Sequence, residues 1–93
     1  MIRCIEISAR ARKDLRRAPR HVVSKFKMWA EAIENDGLEA VRRIPGFHDE
    51  PLHGKRAGER SIRLNILYRA VYRVLSDGTV EFVSVTEVSP HDY

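Results

Sequence analysis

Cysteine is nearly absent from this 93-residue chain: Cys4 is the only one, so no internal disulfide forms and no thiolate metal cluster can be assembled. A lone cysteine inside the apolar segment Ile2–Ile7 reads as a small core residue. Long hydrophobic runs are missing too, and no stretch approaches the length of a membrane span. The opening MIRCIEIS has neither the apolar stretch nor the cleavage site of a secretory leader, so the expected compartment is the cytoplasm. Repeats, linkers and low-complexity segments are likewise lacking, which points to one domain over 1–93 with one core and one functional surface.

What is present is charge. Hydrophobic residues make up 43% and charged residues 32%, a folded composition, and 17 Lys and Arg against 13 Asp and Glu leave a net +4. The basic residues gather at 10–27, 42–43 and 55–73. Basic clusters on a small domain favour a polyanionic partner, nucleic acid first.

The element order is readable from periodicity. Ile2–Ile7 suits a strand, and Ser8 then caps a mostly exposed helix over Ala9–Ala18 with Leu15 inward. Val22, Phe26, Trp29 and Ile33 recur at helical spacing in a second helix that Asp36-Gly37 stops. A short helical turn, LEAVRR, precedes Ile44-Pro45-Gly46. The remainder reads as β: a short strand near Glu50–His53, then Arg60–Leu64, Tyr68–Leu75 and Thr79–Val88. Asp77-Gly78 predicts a two-residue hairpin with positive φ at both positions. The expected fold is α+β, in the order β-α-α-β-β-β, with two N-terminal helices on one face of a twisted, mainly antiparallel sheet.

Chemistry concentrates in EPLHGKRAGERSIRLNILYRAVYRV. Alternation sends Ile62, Leu64, Tyr68, Ala70 and Tyr72 to one face and Arg63, Arg69 and Arg73 to the other. Helices cover one face, so the guanidinium face is left to solvent, with Lys55 and Arg56 in the adjoining glycine-flanked loop. Converging arginine forks match phosphate oxygens. Cross-strand pairing with Glu81, Glu87 or Asp92 is the competing use of any single one. Glu50, before Pro51, and His91, after Pro90, are the two candidates for moving protons. A carboxylate base, an imidazole acid and arginines between them suffice for metal-independent RNA transesterification. The four histidines do not suggest a metal centre: His21 falls in a helix, and His48 and His53 sit five apart without a cysteine or carboxylate cluster. Neither metal nor cofactor is expected.

The same 50–73 run, with the β-α-α-β-β-β order and the tail, resembles the central signature of the RelE/ParE superfamily of bacterial toxin–antitoxin toxins, in particular HigB-like and YoeB-like members. That resemblance implies a RelE-like microbial RNase fold, ribosome-dependent cleavage of messenger RNA in the decoding (A) site beside 16S rRNA, growth arrest, and neutralisation by a cognate antitoxin. It gives Glu50 the role of general base and sets Arg69 on the scissile phosphate. His91 and Tyr93 take acid and base-stacking roles, and Lys55 and Arg63 hold the RNA backbone. Arg56, Arg60, Arg73 and His53 are the further RNA contacts expected beside them. Asp92 stands where related tails have histidine beside the last tyrosine, so it is an alternative catalytic group; His48 is another, because HigB-like members often have histidine at the position of Glu50. A ParE-like gyrase poison without RNase activity, and a non-catalytic basic RNA-binding protein, are the competing functions. The basic helix Ala9–Ala18 fits either an antitoxin or ribosomal RNA.

Overall fold

The computed structural model describes residues 1–90. Its sheet runs in the order β1-β5-β4-β3-β2: β1 is Cys4–Ile7, β2 Glu50–Pro51, β3 Arg60–Arg63, β4 Tyr68–Ser76 and β5 Glu81–Pro90. All neighbouring pairs are antiparallel except β1 with β5, which is parallel. Two helices separate β1 from the rest, α1 (Ala9–Arg17) and α2 (Arg20–Asp36), followed by a single turn, α3 (Leu38–Val41). The α+β expectation holds, including the short strand at Glu50.

Each helix starts and stops for a chemical reason. Ser8 Oγ accepts the Ala11 N–H at 3.0 Å, capping α1, and Pro19 precedes the first residue of α2. Gly37 ends α2 at φ 87°, a left-handed value that costs glycine little. Val22, Phe26, Trp29 and Ile33 form the buried stripe of α2 and pack against Ile62, Leu64, Ala70, Tyr72, Val83, Val85 and Val88 of the sheet. Trp29 lies against the Tyr72 ring, centroids 5.4 Å apart and planes tilted by 50°. Full burial of side chains of this size contributes about 1.5–3 kcal/mol each.

Two local expectations are corrected, and one strand carries an irregularity. Cys4 is exposed, because β1 is an edge strand and alternation turns Ile5 and Ile7 inward instead. The β4–β5 connection spans four residues, 77–80, with positive φ at Gly78 alone. The Asp77 N–H donates to Val80 O at 3.3 Å, and the Asp77 carboxylate accepts the Thr79 and Val80 N–H groups at 2.9 Å each, so a side chain helps close the turn in place of the expected two-residue hairpin. Finally, β5 is not regular: its register against β4 jumps between Val71↔Glu87 and Tyr72↔Val85, leaving Thr86 as the extra residue of a bulge. The bulge lets Val85 and Val88, three apart, both face the core while Glu87 turns to the other face.

That other face is the one the core helices leave open. β1 pairs with β5 only as far as Ile7↔Val85, and α1 takes up the free edge beyond it. Ser8 Oγ donates to Thr86 O at 3.1 Å, and the Val88 N–H donates to Asp14 Oδ2 at 3.0 Å. An unpaired strand edge is thereby satisfied by helix side chains.

Candidate functional site

Antiparallel register places residues directly opposite one another on the same face. Across β2, β3, β4 and β5 the open face therefore carries the row Glu50, Ser61, Val71 and Glu87, and beside it Arg63, Arg69 and Ser89. At the β2–β3 end this face hollows into a cleft of about 180 Å³ whose lining includes His48, Glu50, Ser61, Arg63, Tyr68 and Arg69. The structure thus brings together Glu50, Arg63 and Arg69, with His48 at the margin. Glu50 and Arg63 are exposed, whereas Arg69 is half-buried and its Nε is buried without a hydrogen-bond partner among the described residues. A buried guanidinium N–H left unpaired costs about 1–3 kcal/mol.

His48 adopts a left-handed backbone, φ 47° and ψ 51°, at the end of the single turn Pro45–Phe47. It is the one non-glycine residue with positive φ among those described. The kink turns the chain into β2, a strand of two residues at the sheet edge.

Other expected contacts do not join the cleft. Arg60 is three residues from Arg63 on the same strand, so it faces the helix side; its Nε donates to Asp49 Oδ1 at 2.6 Å. Arg56 Nε donates to Glu59 at 2.7 Å, and its Nη2 donates to Glu87. Arg73 pairs with Glu59 at 3.3 Å, and Arg10 reaches Glu87 at 3.7 Å. Three of these arginines, Arg10, Arg56 and Arg73, form a lattice with Glu59 and Glu87 over the middle of the open face. Beneath it Val71, on the guanidinium side of β4, is 0% exposed. Hence Arg56, Arg60 and Arg73 are held by carboxylates, and the open face is not a bare field of arginine. His53 and Lys55 are exposed in the β2–β3 loop, outside the cleft lining. The expectations for His91, Asp92 and Tyr93 lie outside the described residues.

Burial alone would raise the Glu87 carboxyl, but hydrogen bonds from Arg56 and Ser89, with the charges of Arg56 and Arg10, hold it below its ordinary 4.5. Burial, then the hydrogen bond to Asp49, pushes the Tyr72 hydroxyl up to about 12. Glu87 was among the carboxylates expected to compete for the arginines, but its place at the centre of the lattice was not legible, nor was the Asp49–Tyr72 pair. The first depends on a bulge, and the second on a pairing across 23 residues.

A two-layer α+β domain with a basic cleft at one end of its uncovered sheet face defines the class: the RelE-like toxin fold. Over residues 5–89 the chain matches the family described as ParE toxin of type II toxin–antitoxin system, parDE, and it belongs to that family. Solved structures agree. It is similar to the YoeB/ParE toxin from Agrobacterium tumefaciens, at 25% identity over 96% of this chain and 99% of that one, with a TM-score of 0.65. YafQ from E. coli strain BL21(DE3) is 21% identical over 96% of this chain and 93% of that one, with a TM-score of 0.72. The RelBE2 toxin–antitoxin complex of Mycobacterium tuberculosis provides a chain 22% identical over 98% of this one and 100% of that one, at a TM-score of 0.68. No curated protein matches the chain.

Proposed function

We propose that this toxin is a ribosome-dependent endoribonuclease that cuts messenger RNA by metal-independent 2′-hydroxyl transesterification and so arrests translation and growth. The observation that carries the reading is the cleft itself: a carboxylate, Glu50, on the same sheet face as two arginines free of carboxylate partners among the described residues, one of them with a buried Nε. Glu50 accepts the 2′-hydroxyl proton as the 2′-oxygen attacks phosphorus. Arg69 and Arg63 stabilise the charge gathering on the phosphate oxygens, and the 5′-oxygen leaves with a proton. The tail supplies that proton, from His91 or Asp92, with Tyr93 stacking on a base, as the superfamily resemblance implies. His48 stands at the cleft margin as an alternative proton carrier. Lys55 and His53, exposed on the neighbouring loop, extend the RNA path, while the ion-paired Arg56, Arg60 and Arg73 serve as scaffold.

The partners of this activity are the ribosomal A site with its 16S rRNA, the message it holds, and a cognate antitoxin in the same cytoplasm. The toxin–antitoxin complex formed by the RelBE2 relative supports the last of these. The ParE name of the matched family favours a second reading, a gyrase poison that cuts no RNA. Inducing the chain in bacteria separates them. Wild type should stop growth with new 5′ ends mapping inside translated messages, and Arg69→Ala should relieve both. Intact messages with gyrase-dependent DNA breaks would establish the second reading instead.

A further inference from the structure

The Asp49 carboxylate is 1% exposed although it sits in a connecting segment directly before an exposed Glu50. Burying a carboxylate is expensive unless every oxygen is hydrogen-bonded, and even a well-made buried ion pair adds little net stability over apolar packing. Stability alone therefore does not explain it. Its two oxygens are clamped separately: Oδ1 accepts Arg60 Nε at 2.6 Å and Oδ2 accepts the Tyr72 hydroxyl at 2.5 Å. Arg60 and Tyr72 are register partners on β3 and β4, so the clamp spans two neighbouring strands from the helix side of the sheet. Arg42 Nε donates to the same Tyr72 oxygen at 3.4 Å. Burial and the Asp49 hydrogen bond push Tyr72 up to about 12, so its hydroxyl remains a donor across the physiological range.

The segment held by this clamp is short: beyond it the Leu52 N–H donates to Glu59 O at 2.9 Å, and Phe47 before it is buried in the core. β2 offers two register pairs, Glu50↔Ser61 and Pro51↔Arg60, and Pro51 has no N–H to contribute. Successive residues of an extended chain point to opposite faces. The residue that anchors Glu50 from the far side of the sheet is therefore its immediate neighbour.

We propose that Asp49 is a positioning residue for Glu50: its clamp on Arg60 and Tyr72 fixes β2 at the sheet edge, so that the Glu50 carboxylate is presented beside Arg63 and Arg69. This rests on the reading of Glu50 as the general base. It also gives Arg60 a role distinct from RNA contact.

The test uses the purified full chain with ribosomes carrying a defined message, comparing wild type with Asp49→Asn, Tyr72→Phe and Glu50→Gln. Amide hydrogen exchange is followed on the same proteins without ribosomes. A misplaced base slows the chemical step by about ten- to a hundredfold while leaving phosphate binding intact. Asp49→Asn and Tyr72→Phe should thus lower kcat by that factor with KM changed less than about twofold, and exchange should quicken at Glu50 and Ser61 but not at Val83 and Val85. Tyr72→Phe keeps the ring in the core and decides the matter if Asp49→Asn fails to fold. Wild-type kcat and wild-type exchange in folded Tyr72→Phe would overturn the proposal. Uniformly faster exchange, with kcat falling only in proportion to the unfolded fraction, would overturn it too. Wild-type kcat in Glu50→Gln would instead remove Glu50 as the base, and the exchange data would still show whether Asp49 holds β2.

Discussion

Arg69 and Glu87 lie on the same open face and are handled in opposite ways. Arg69 has a buried Nε with no partner among the described residues, whereas Glu87, 8% exposed, is contacted by Arg56, Arg10 and Ser89. Because the folded-state pKa of Glu87 is lowered from 4.5, the stability it contributes is fully present above the unfolded value and lost as pH falls through the lower folded one. Glu87→Gln should therefore cost about 1–2 kcal/mol near neutral pH and progressively less in acid, where the wild-type carboxylate is protonated as well. Denaturant midpoints followed from about pH 7 to pH 3 check this; a constant gap between the two proteins would contradict it. At this scale Arg63 and Arg69 were legible from alternation, and so in principle was the departure of Arg60, since two residues three apart on a strand without a bulge cannot share a face. Its carboxylate partner was not, because nothing local in the sequence pairs Arg60 with Asp49.

Among the elements, α2 was the most legible, since its four buried residues follow helical spacing and a left-handed Gly37 ends it. β5 was the least, because a bulge leaves no mark on composition. Strict alternation from Val85 would send Glu87 into the core and Val88 out of it; the extra residue at Thr86 reverses both. This has a testable consequence. Deletion of Thr86 restores simple alternation while keeping Val85 and Val88 inward, so the chain should still fold, at a cost on the order of 1–3 kcal/mol from lost contacts to Ser8 and the Val71 carbonyl. Deletion of Ser84 forces alternation to turn Thr86 inward and Val85 outward, and should abolish cooperative unfolding. Thermal unfolding by circular dichroism distinguishes the two; equal losses would show that register is not what the bulge protects. The same logic of edges explains Cys4, whose exposure follows from the position of β1 at the sheet margin.

For the whole molecule, the helices occupy one face of the sheet and a lattice of arginine and glutamate covers the middle of the other. The cleft at the β2–β3 end then brings Glu50 together with two arginines that have no carboxylate partner among the described residues. The net charge of +4 favours polyanions in general, and on the proposed reading the cleft is where a phosphate sits. The fold was legible because hydrophobic periodicity reports layers directly. The division of the arginines between scaffold and cleft was not, because it depends on which carboxylates the register brings opposite them. The central claim, that this cleft cuts RNA, is tested most directly by the product. With purified chain and ribosomes holding a defined message, wild type should leave a 2′,3′-cyclic phosphate at the cut, and Glu50→Gln and Arg69→Ala, both folded, should each slow its appearance by about a hundredfold or more. Intact message after incubation with folded wild-type chain, or cyclic-phosphate ends formed equally fast by both variants, would contradict it.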